Sequence, residues 1–127
     1  MRMSLPKPPK ESIVYRDRWL TVCLASFPIV KGHTIVVWNA PVRDLHLLTR
    51  ANYERLMDAV EDVRDALMAA FKVKKAYLLY MDEANHVHWH VIPRYDVKGF
   101  TLLKHKPVRL RDFSLVEVVK KNLKHRH

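Results

Sequence analysis

Three histidines recur at every second position between residues 86 and 90, in the run His86-Val87-His88-Trp89-His90. Side chains alternate between the two faces of an extended strand, so the histidines share one face and the apolar residues share the other. A neutral imidazole is a nucleophile at pH 7, and protonated neighbouring imidazoles can neutralise the negative charge that develops during its attack. We therefore expect a strand with one reactive face and one buried face.

The spacing along this strand limits what the three imidazoles can bind together. Backbone positions two residues apart are roughly 6–7 Å from each other, and the outer pair is about 13 Å apart. This separation disfavours one small metal ion held by all three and favours an elongated anion such as a phosphate chain. The central His88 is best placed to attack phosphorus. One of its ring nitrogens must then be unprotonated while the other donates to a carbonyl or similar acceptor.

Two other interpretations of the histidine strand stay open. A histidine-rich segment can lie at the surface with no chemical role. Two of the histidines could also bind a metal with a distant third ligand, since an i, i+2 pair on a strand is a common chelating arrangement. No cysteine or acidic residue is interleaved at metal-ligand spacing, and the single Cys23 lies in an apolar run where a buried thiol is expected.

These residues resemble the signature of the histidine triad family, His-φ-His-φ-His-φ-φ with φ apolar. The apolar positions are filled by Val87, Trp89, Val91 and Ile92. Residues 28–37 resemble the family's Pro-x-x-x-Gly-His-x-φ-φ-φ segment and contribute a fourth histidine, His33. The resemblance extends over residues 12 to 95, with the two motifs in the family's order.

The resemblance implies a nucleotidyl hydrolase or transferase that acts at the α-phosphate of nucleoside phosphoramidates or dinucleoside polyphosphates. It implies that His88 becomes transiently nucleotidylated and that His90 contacts the phosphate and assists the leaving group. His86 matches the residue that orients the nucleophile, and His33 matches the fourth histidine beside them. An adenine-containing substrate and a homodimer are implied as well. The resemblance also implies that the nucleophilic step requires no metal and no other cofactor.

Three further residues are candidate substrate ligands. Where the family usually has Asp or Asn to hold the ribose hydroxyls, this chain has Ala25, so Ser26 is the nearest polar residue. The family's Gly-rich phosphate loop is replaced by a turn at 82–85, in which Asn85 could donate a hydrogen bond. Arg94 follows the histidine strand and is a candidate phosphate ligand.

The elements that must position these residues can be predicted from periodicity and turn signals. Strands are expected at 13–15, 19–25, 33–38, 76–81 and 86–92. Apolar residues in one helical stripe predict a long helix over 50–71 with Thr49 as N-cap, and a short helix is expected from Ser114, with Glu117 completing a capping box. The result is an α+β domain, an antiparallel meander sheet with one long helix packed across it and a short C-terminal helix.

Length and composition indicate one small domain. A chain of 127 residues with 49% hydrophobic content can form one core, so residues 1–127 are expected to be a single domain. No apolar run of about 18 residues and no signal-peptide pattern is present. One cysteine excludes an internal disulfide and fits a reducing compartment, so a cytoplasmic location is expected.

Charge is concentrated towards the C-terminus. Residues 1–11 carry three prolines and are expected to form an extended arm. Residues 98–127 form a basic extension, with nine Lys or Arg against Asp112 and Glu117, which is +7 of the formal +10. This extension is either a solubilising surface or a site for an anionic partner. A binding module for nucleotides or nucleic acid is therefore the first alternative to an enzyme, and a metal-binding protein is the second. Nucleic acid is not favoured, because aromatic residues are not interleaved with the basic ones.

Overall fold

The computed structural model describes residues 5–96, 98, 101, 104 and 106–124. The remaining residues of the predicted arm and of the basic extension lie outside this description. The strands are β1 (Ile13–Arg16), β2 (Leu20–Leu24), β3 (Thr34–Trp38), β4 (Ala76–Leu79) and β5 (His88–Pro93), and the helices are α1 (Arg50–Phe71) and α2 (Leu115–Asn122). Short 3-10 helices at Lys10–Ser12 and Leu45–Leu47 lead into β1 and α1.

The described strands form one antiparallel sheet in the order β1-β2-β3-β5-β4. The first three follow one another as a meander, and β5 then lies between β3 and β4. The histidine strand is therefore central and hydrogen-bonded on both sides. The α+β class, with one long helix and one short C-terminal helix, is confirmed.

Helix α1 covers one face of the sheet. The side chain of Thr49 accepts a hydrogen bond from the backbone N–H of Asn52 at 3.2 Å, which confirms the predicted N-cap. The apolar stripe is buried in the core, and its members are Leu56, Ala59, Val60, Val63, Ala66 and Leu67. Burial of one large aliphatic side chain contributes about 1.5–3 kcal/mol, so this stripe stabilises the sheet on which the histidines lie. Within the described ranges, no helix has the length and apolar character needed to cross a bilayer.

The register between β3 and β5 decides which side chains face α1. Val36 pairs with Trp89, and Val37 pairs with His88. Val36 is fully buried and Trp89 packs against the same core, so both face the helix. His88 and His90 therefore lie on the opposite, open face, as the alternation predicts.

The histidine strand begins later than the sequence predicts. β5 starts at His88, and His86 and Val87 precede it. The side chain of Asp82 accepts the backbone N–H of His86 at 3.1 Å, while Val87 donates its N–H to the carbonyl of Val42 at 3.0 Å. Val87 still accepts the backbone N–H of Trp38 at 3.1 Å, but the N–H groups of His86 and Val87 bond to Asp82 and Val42 rather than to β3, so the regular ladder begins at His88.

Helix α2 packs on the core through Val119, which is fully buried. The capping box expected at Ser114 is wrong, since the Ser114 side chain makes no cap hydrogen bond. Instead, Asp112 accepts the backbone N–H of Ser114 at 3.0 Å, because a carboxylate two residues earlier is within reach of that group. The backbone N–H of Lys124 donates to Asp62 at 3.1 Å and ties the segment to α1.

Candidate active site

Three histidine rings contact one another on the open face of the sheet. His33 directly precedes β3, and His88 and His90 lie on the adjacent β5. The ring centroids of His33 and His90 are 5.1 Å apart, and those of His88 and His90 are 5.2 Å apart. His33 and His88 are buried, whereas His90 is half-buried. The structure thus brings together two histidines from the triad and the fourth histidine that the resemblance implies.

Hydrogen bonds fix the proton positions on His33 and His90. The backbone N–H of Ile29 donates to Nδ1 of His33 at 3.0 Å, so that nitrogen carries a lone pair and the His33 proton lies on Nε2. Nε2 of His33 lies 2.9 Å from Nδ1 of His90 and donates to it. The proton of a neutral His90 must therefore lie on Nε2, on the far side of its ring.

The electrostatic environment keeps His90 neutral. Burial, and secondarily the charge of the neighbouring His88, lowers the pKa of His90 from its ordinary 6.5 to about 4. A protonated His90 would also lose the lone pair that receives the hydrogen bond from His33. At pH 7 His90 is therefore a neutral ring that presents an N–H donor, and the expectation of a protonated neighbour beside the nucleophile is wrong for His90 because its burial disfavours the charge.

Backbone carbonyl groups orient the other two imidazoles. Nδ1 of His88 lies 2.7 Å from the carbonyl oxygen of His86. A carbonyl can only accept, so Nδ1 carries the proton and neutral His88 has its lone pair on Nε2. The ring of His86 donates through Nε2 to the carbonyl of Trp38. His86 therefore supports the neighbouring imidazole through its backbone carbonyl rather than through its ring.

An apolar cavity of about 240 Å³ adjoins His33 and His90. Its other lining residues are Leu5, Pro6, Pro8, Cys23, Leu24, Ala25, Ser26, Phe27, Ile35 and Val37. The N-terminal arm supplies one wall, and the open face of β2 and β3 supplies another. Burial raises the pKa of the Cys23 thiol to about 12, so this side chain stays protonated and acts as an apolar wall.

Of the three further candidate ligands, only Ser26 lines the cavity that the histidines line. Asn85 is exposed and has φ +54°, a left-handed conformation that Asn tolerates in turns. Arg94 donates through Nε to the hydroxyl of Tyr77 at 3.1 Å. It lines a different cleft, together with Lys72, Lys74 and Lys75. The roles of Asn85 and Arg94 in binding substrate stay predictions.

Asp82 is a site residue that the sequence reasoning treats only as part of a turn. Its side chain is 4% exposed, and one carboxylate oxygen lies 3.9 Å from Nδ1 of His88. It accepts backbone N–H groups from Ala84 and His86. The sequence does contain a signal for this role, which is an Asp in the turn directly before the first triad histidine. Asp side chains commonly accept backbone N–H groups two to four residues ahead.

No group of three His, Cys, Asp or Glu side chains in the described part of the chain could hold a metal ion. The direct hydrogen bond between His33 and His90 also occupies a nitrogen that would otherwise be available as a ligand.

The sheet, the long helix and the histidine cluster are those of a histidine triad domain. The family model of the HIT domain matches residues 7–97, so the chain belongs to the HIT family. A Hit-like protein from Bartonella henselae is similar in structure, with 20% identity, a TM-score of 0.72, and coverage of 87% of this chain and 86% of that chain.

Two further solved structures show the same fold. A hypothetical histidine triad nucleotide-binding protein from Sulfolobus tokodaii has 20% identity and a TM-score of 0.71, and the match covers 88% of this chain and 83% of that chain. A Zn-bound histidine triad family protein from Mycobacterium smegmatis has 18% identity and a TM-score of 0.72, with 91% and 85% covered. At these identities the likeness concerns the fold.

Proposed function

We propose that this protein is a nucleotidyl hydrolase or transferase acting at the α-phosphate of nucleoside phosphoramidates or dinucleoside polyphosphates. The observation that carries the proposal is the hydrogen bond from Nδ1–H of His88 to the carbonyl of His86, at 2.7 Å. It supports a lone pair on Nε2, and a lone pair is what a nucleophile requires.

In the proposed reaction, Nε2 of His88 attacks the α-phosphorus. A P–N bond forms while the bond from phosphorus to the leaving group breaks, and the leaving group departs with that electron pair. Water then attacks phosphorus, the P–N bond breaks, and its pair returns to Nε2. The proton that water loses balances the proton that the leaving group gains. Nε2–H of His90 donates a hydrogen bond to the phosphate or leaving atom and stabilises the charge that develops there.

The apolar cavity beside His33 and His90 is the proposed nucleoside site. Its walls suit a flat, weakly polar ring such as adenine, and its volume of about 240 Å³ is small. The hydroxyl of Ser26 is the proposed contact for the sugar. Contacts of Asn85 and Arg94 with the phosphates belong to the same proposal, and their Ala variants test them through the KM of the substrate.

A homodimer and a cytoplasmic location complete the proposal. Both come from the family to which the chain belongs and from its small size. Size-exclusion chromatography with light scattering tests the dimer directly, with a monomer mass at micromolar concentration as the contradicting result.

The test of the proposed activity is turnover of adenosine 5′-phosphoramidate in the presence of a chelator. We expect AMP release that the chelator does not affect. His88→Ala should lose turnover by several orders of magnitude and keep its affinity for AMP, because the lost group acts in the chemical step. His86→Ala should lose less turnover than His88→Ala, because the carbonyl that accepts the His88 proton belongs to the backbone and is kept in the variant. His46→Ala is the matched control, since His46 is exposed and is not among the residues that line the cavity.

Each alternative class predicts a different outcome of the same assay. AMP binding without turnover would indicate a nucleotide-binding module. Turnover that depends on added zinc and is abolished by the chelator would indicate a metal site. Either result would overturn the proposed reaction.

A further inference from the structure

Asp82 is a buried carboxylate on the Nδ1 side of His88. Its side chain is 4% exposed, and its Oδ1 lies 3.9 Å from Nδ1 of His88. Such a group is costly to bury unless its oxygens accept hydrogen bonds. Here they accept the backbone N–H of Ala84 at 2.9 Å and that of His86 at 3.1 Å. The turn is therefore folded around the carboxylate.

The same hydrogen bonds constrain the carbonyl on which His88 depends. His86 donates its N–H to Asp82, and its carbonyl accepts Nδ1–H of His88 at 2.7 Å. That carbonyl shares its peptide plane with the N–H of Val87, which donates to the carbonyl of Val42 at 3.0 Å, and Asp82 fixes the preceding plane through the His86 N–H. The two planes meet at the Cα of His86, so these bonds together hold the carbonyl towards Nδ1 of His88. Asn85 lies in the turn between Asp82 and His86 and has a left-handed backbone conformation.

The charge of Asp82 favours the same tautomer of His88 as its hydrogen bonds do. A carboxylate near Nδ1 favours the proton on Nδ1 over the proton on Nε2. When Nε2 bonds to phosphorus and the leaving-group bond breaks, Nδ1 keeps its proton and the ring becomes cationic. A negative charge at 3.9 Å stabilises that cation.

We propose that Asp82 is a positioning residue that holds His88 in the tautomer with Nε2 unprotonated and stabilises its cationic, nucleotidylated form. The catalytic part of this inference rests on the proposed function, whereas the tautomeric part concerns the resting protein alone.

The first test is Asp82→Asn, which keeps an acceptor oxygen and removes the charge. We expect kcat for adenosine 5′-phosphoramidate to fall about 10–100-fold, by analogy with the loss of a carboxylate that orients a metal-binding histidine. KM and AMP affinity should stay unchanged, because Asp82 does not line the cavity.

Asp17→Asn is the matched control. Asp17 accepts the backbone N–H groups of Trp19 and Leu20, at 2.7 and 2.9 Å, in the turn between β1 and β2. It therefore has the same chemistry in a turn that carries no triad histidine, and its variant should keep the parent kcat. Equal kcat in Asp82→Asn and Asp17→Asn would overturn the catalytic part of the inference.

The second test is the ¹⁵N NMR spectrum of the His88 ring, which reports the tautomer without any turnover. We expect the Nδ1–H tautomer in the parent, a larger Nε2–H population in Asp82→Asn, and a still larger one in Asp82→Ala. An Asp82→Asn protein with the parent tautomer would overturn the positioning role, even if Asp82→Ala fails to fold. A parent protein without turnover would refute the proposed function, and the tautomer result would still decide the role of Asp82.

Discussion

His90 must be neutral to receive the hydrogen bond from His33, and its lowered pKa reduces the stability of the folded protein at acidic pH. Two residues 57 positions apart make this contact, so its existence could not be read from the local sequence. The need of His88 for a hydrogen-bond acceptor could be predicted from its chemistry, but the identity of that acceptor, the carbonyl of His86, could not. The role of Asp82 was missed because its partners are mainly backbone N–H groups, which a sequence does not display.

We expect His90 to make the protein less stable in acid. Its pKa is about 4 in the folded state and 6.5 ordinarily, so between these values the unfolded chain binds the proton and the folded chain does not. The free energy of unfolding should therefore decrease as the pH falls from about 6.5 towards 4, by at most about 2 kcal/mol at pH 5. Urea unfolding at pH 7.5 and pH 5 measures this decrease.

In His90→Gln the free energy of unfolding should decrease less between pH 7.5 and pH 5, because Gln does not titrate. His46→Gln, at an exposed histidine, is the control and should show the parent's dependence on pH. An identical pH dependence in the parent and in His90→Gln would show that the proton is not excluded from His90.

At the scale of elements, helix α1 was the feature best predicted, since both its stripe and its Thr49 cap are local patterns. The start of β5 and the cap of α2 were predicted wrongly for one common reason. Asp82 and Asp112 each accept a nearby backbone N–H and thereby change the expected local structure. The position of β5 between β3 and β4 depends on pairing between distant segments and has no local signal.

The face opposite the histidines gives a prediction about Trp89. Its ring packs against the core and against Tyr80, with centroids 5.2 Å apart, and its Nε1 is buried with no partner in the described part of the chain. Trp89→Ala should destabilise the fold by about 3 kcal/mol, through lost packing. Trp89→Phe keeps an aromatic ring and removes the unpartnered N–H, so it should cost under about 1 kcal/mol.

Denaturant unfolding of the two Trp89 variants, together with the KM of the substrate, tests this placement. KM should change little in either variant, because Trp89 faces α1 rather than the cavity. A raised KM at unchanged stability would indicate instead that Trp89 stacks on the nucleobase.

At the scale of the whole molecule, the formal charge of +10 has no assigned role in the proposed reaction. The described lysines at the end of α2 and just after it, Lys120, Lys121 and Lys124, are exposed. Leu123, between them, packs against the core, and the backbone of Lys124 bonds to Asp62. Charge should therefore be tested here by substitution, because deletion of the segment would also remove packing.

The triple variant with Lys120, Lys121 and Lys124 replaced by Gln should turn over a small nucleotide at the parent rate at physiological salt. At that ionic strength the Debye length is about 8 Å, so exposed charges farther than this from the substrate are largely screened. Steady-state kinetics measures the rate. Tight RNA binding by the parent that weakens with salt and disappears in the triple variant would contradict a purely solubilising role.

The central claim is that His88 forms a covalent bond to the α-phosphorus, and the mass of the protein during turnover tests it most directly. Rapid acid-free quenching followed by intact-mass and peptide spectrometry should show one added nucleotidyl group, located on the peptide that contains His88. Neither His88→Ala nor the resting protein should carry it. A protein that turns over substrate at the full rate with no such adduct, or with the adduct on another residue, would contradict the claim.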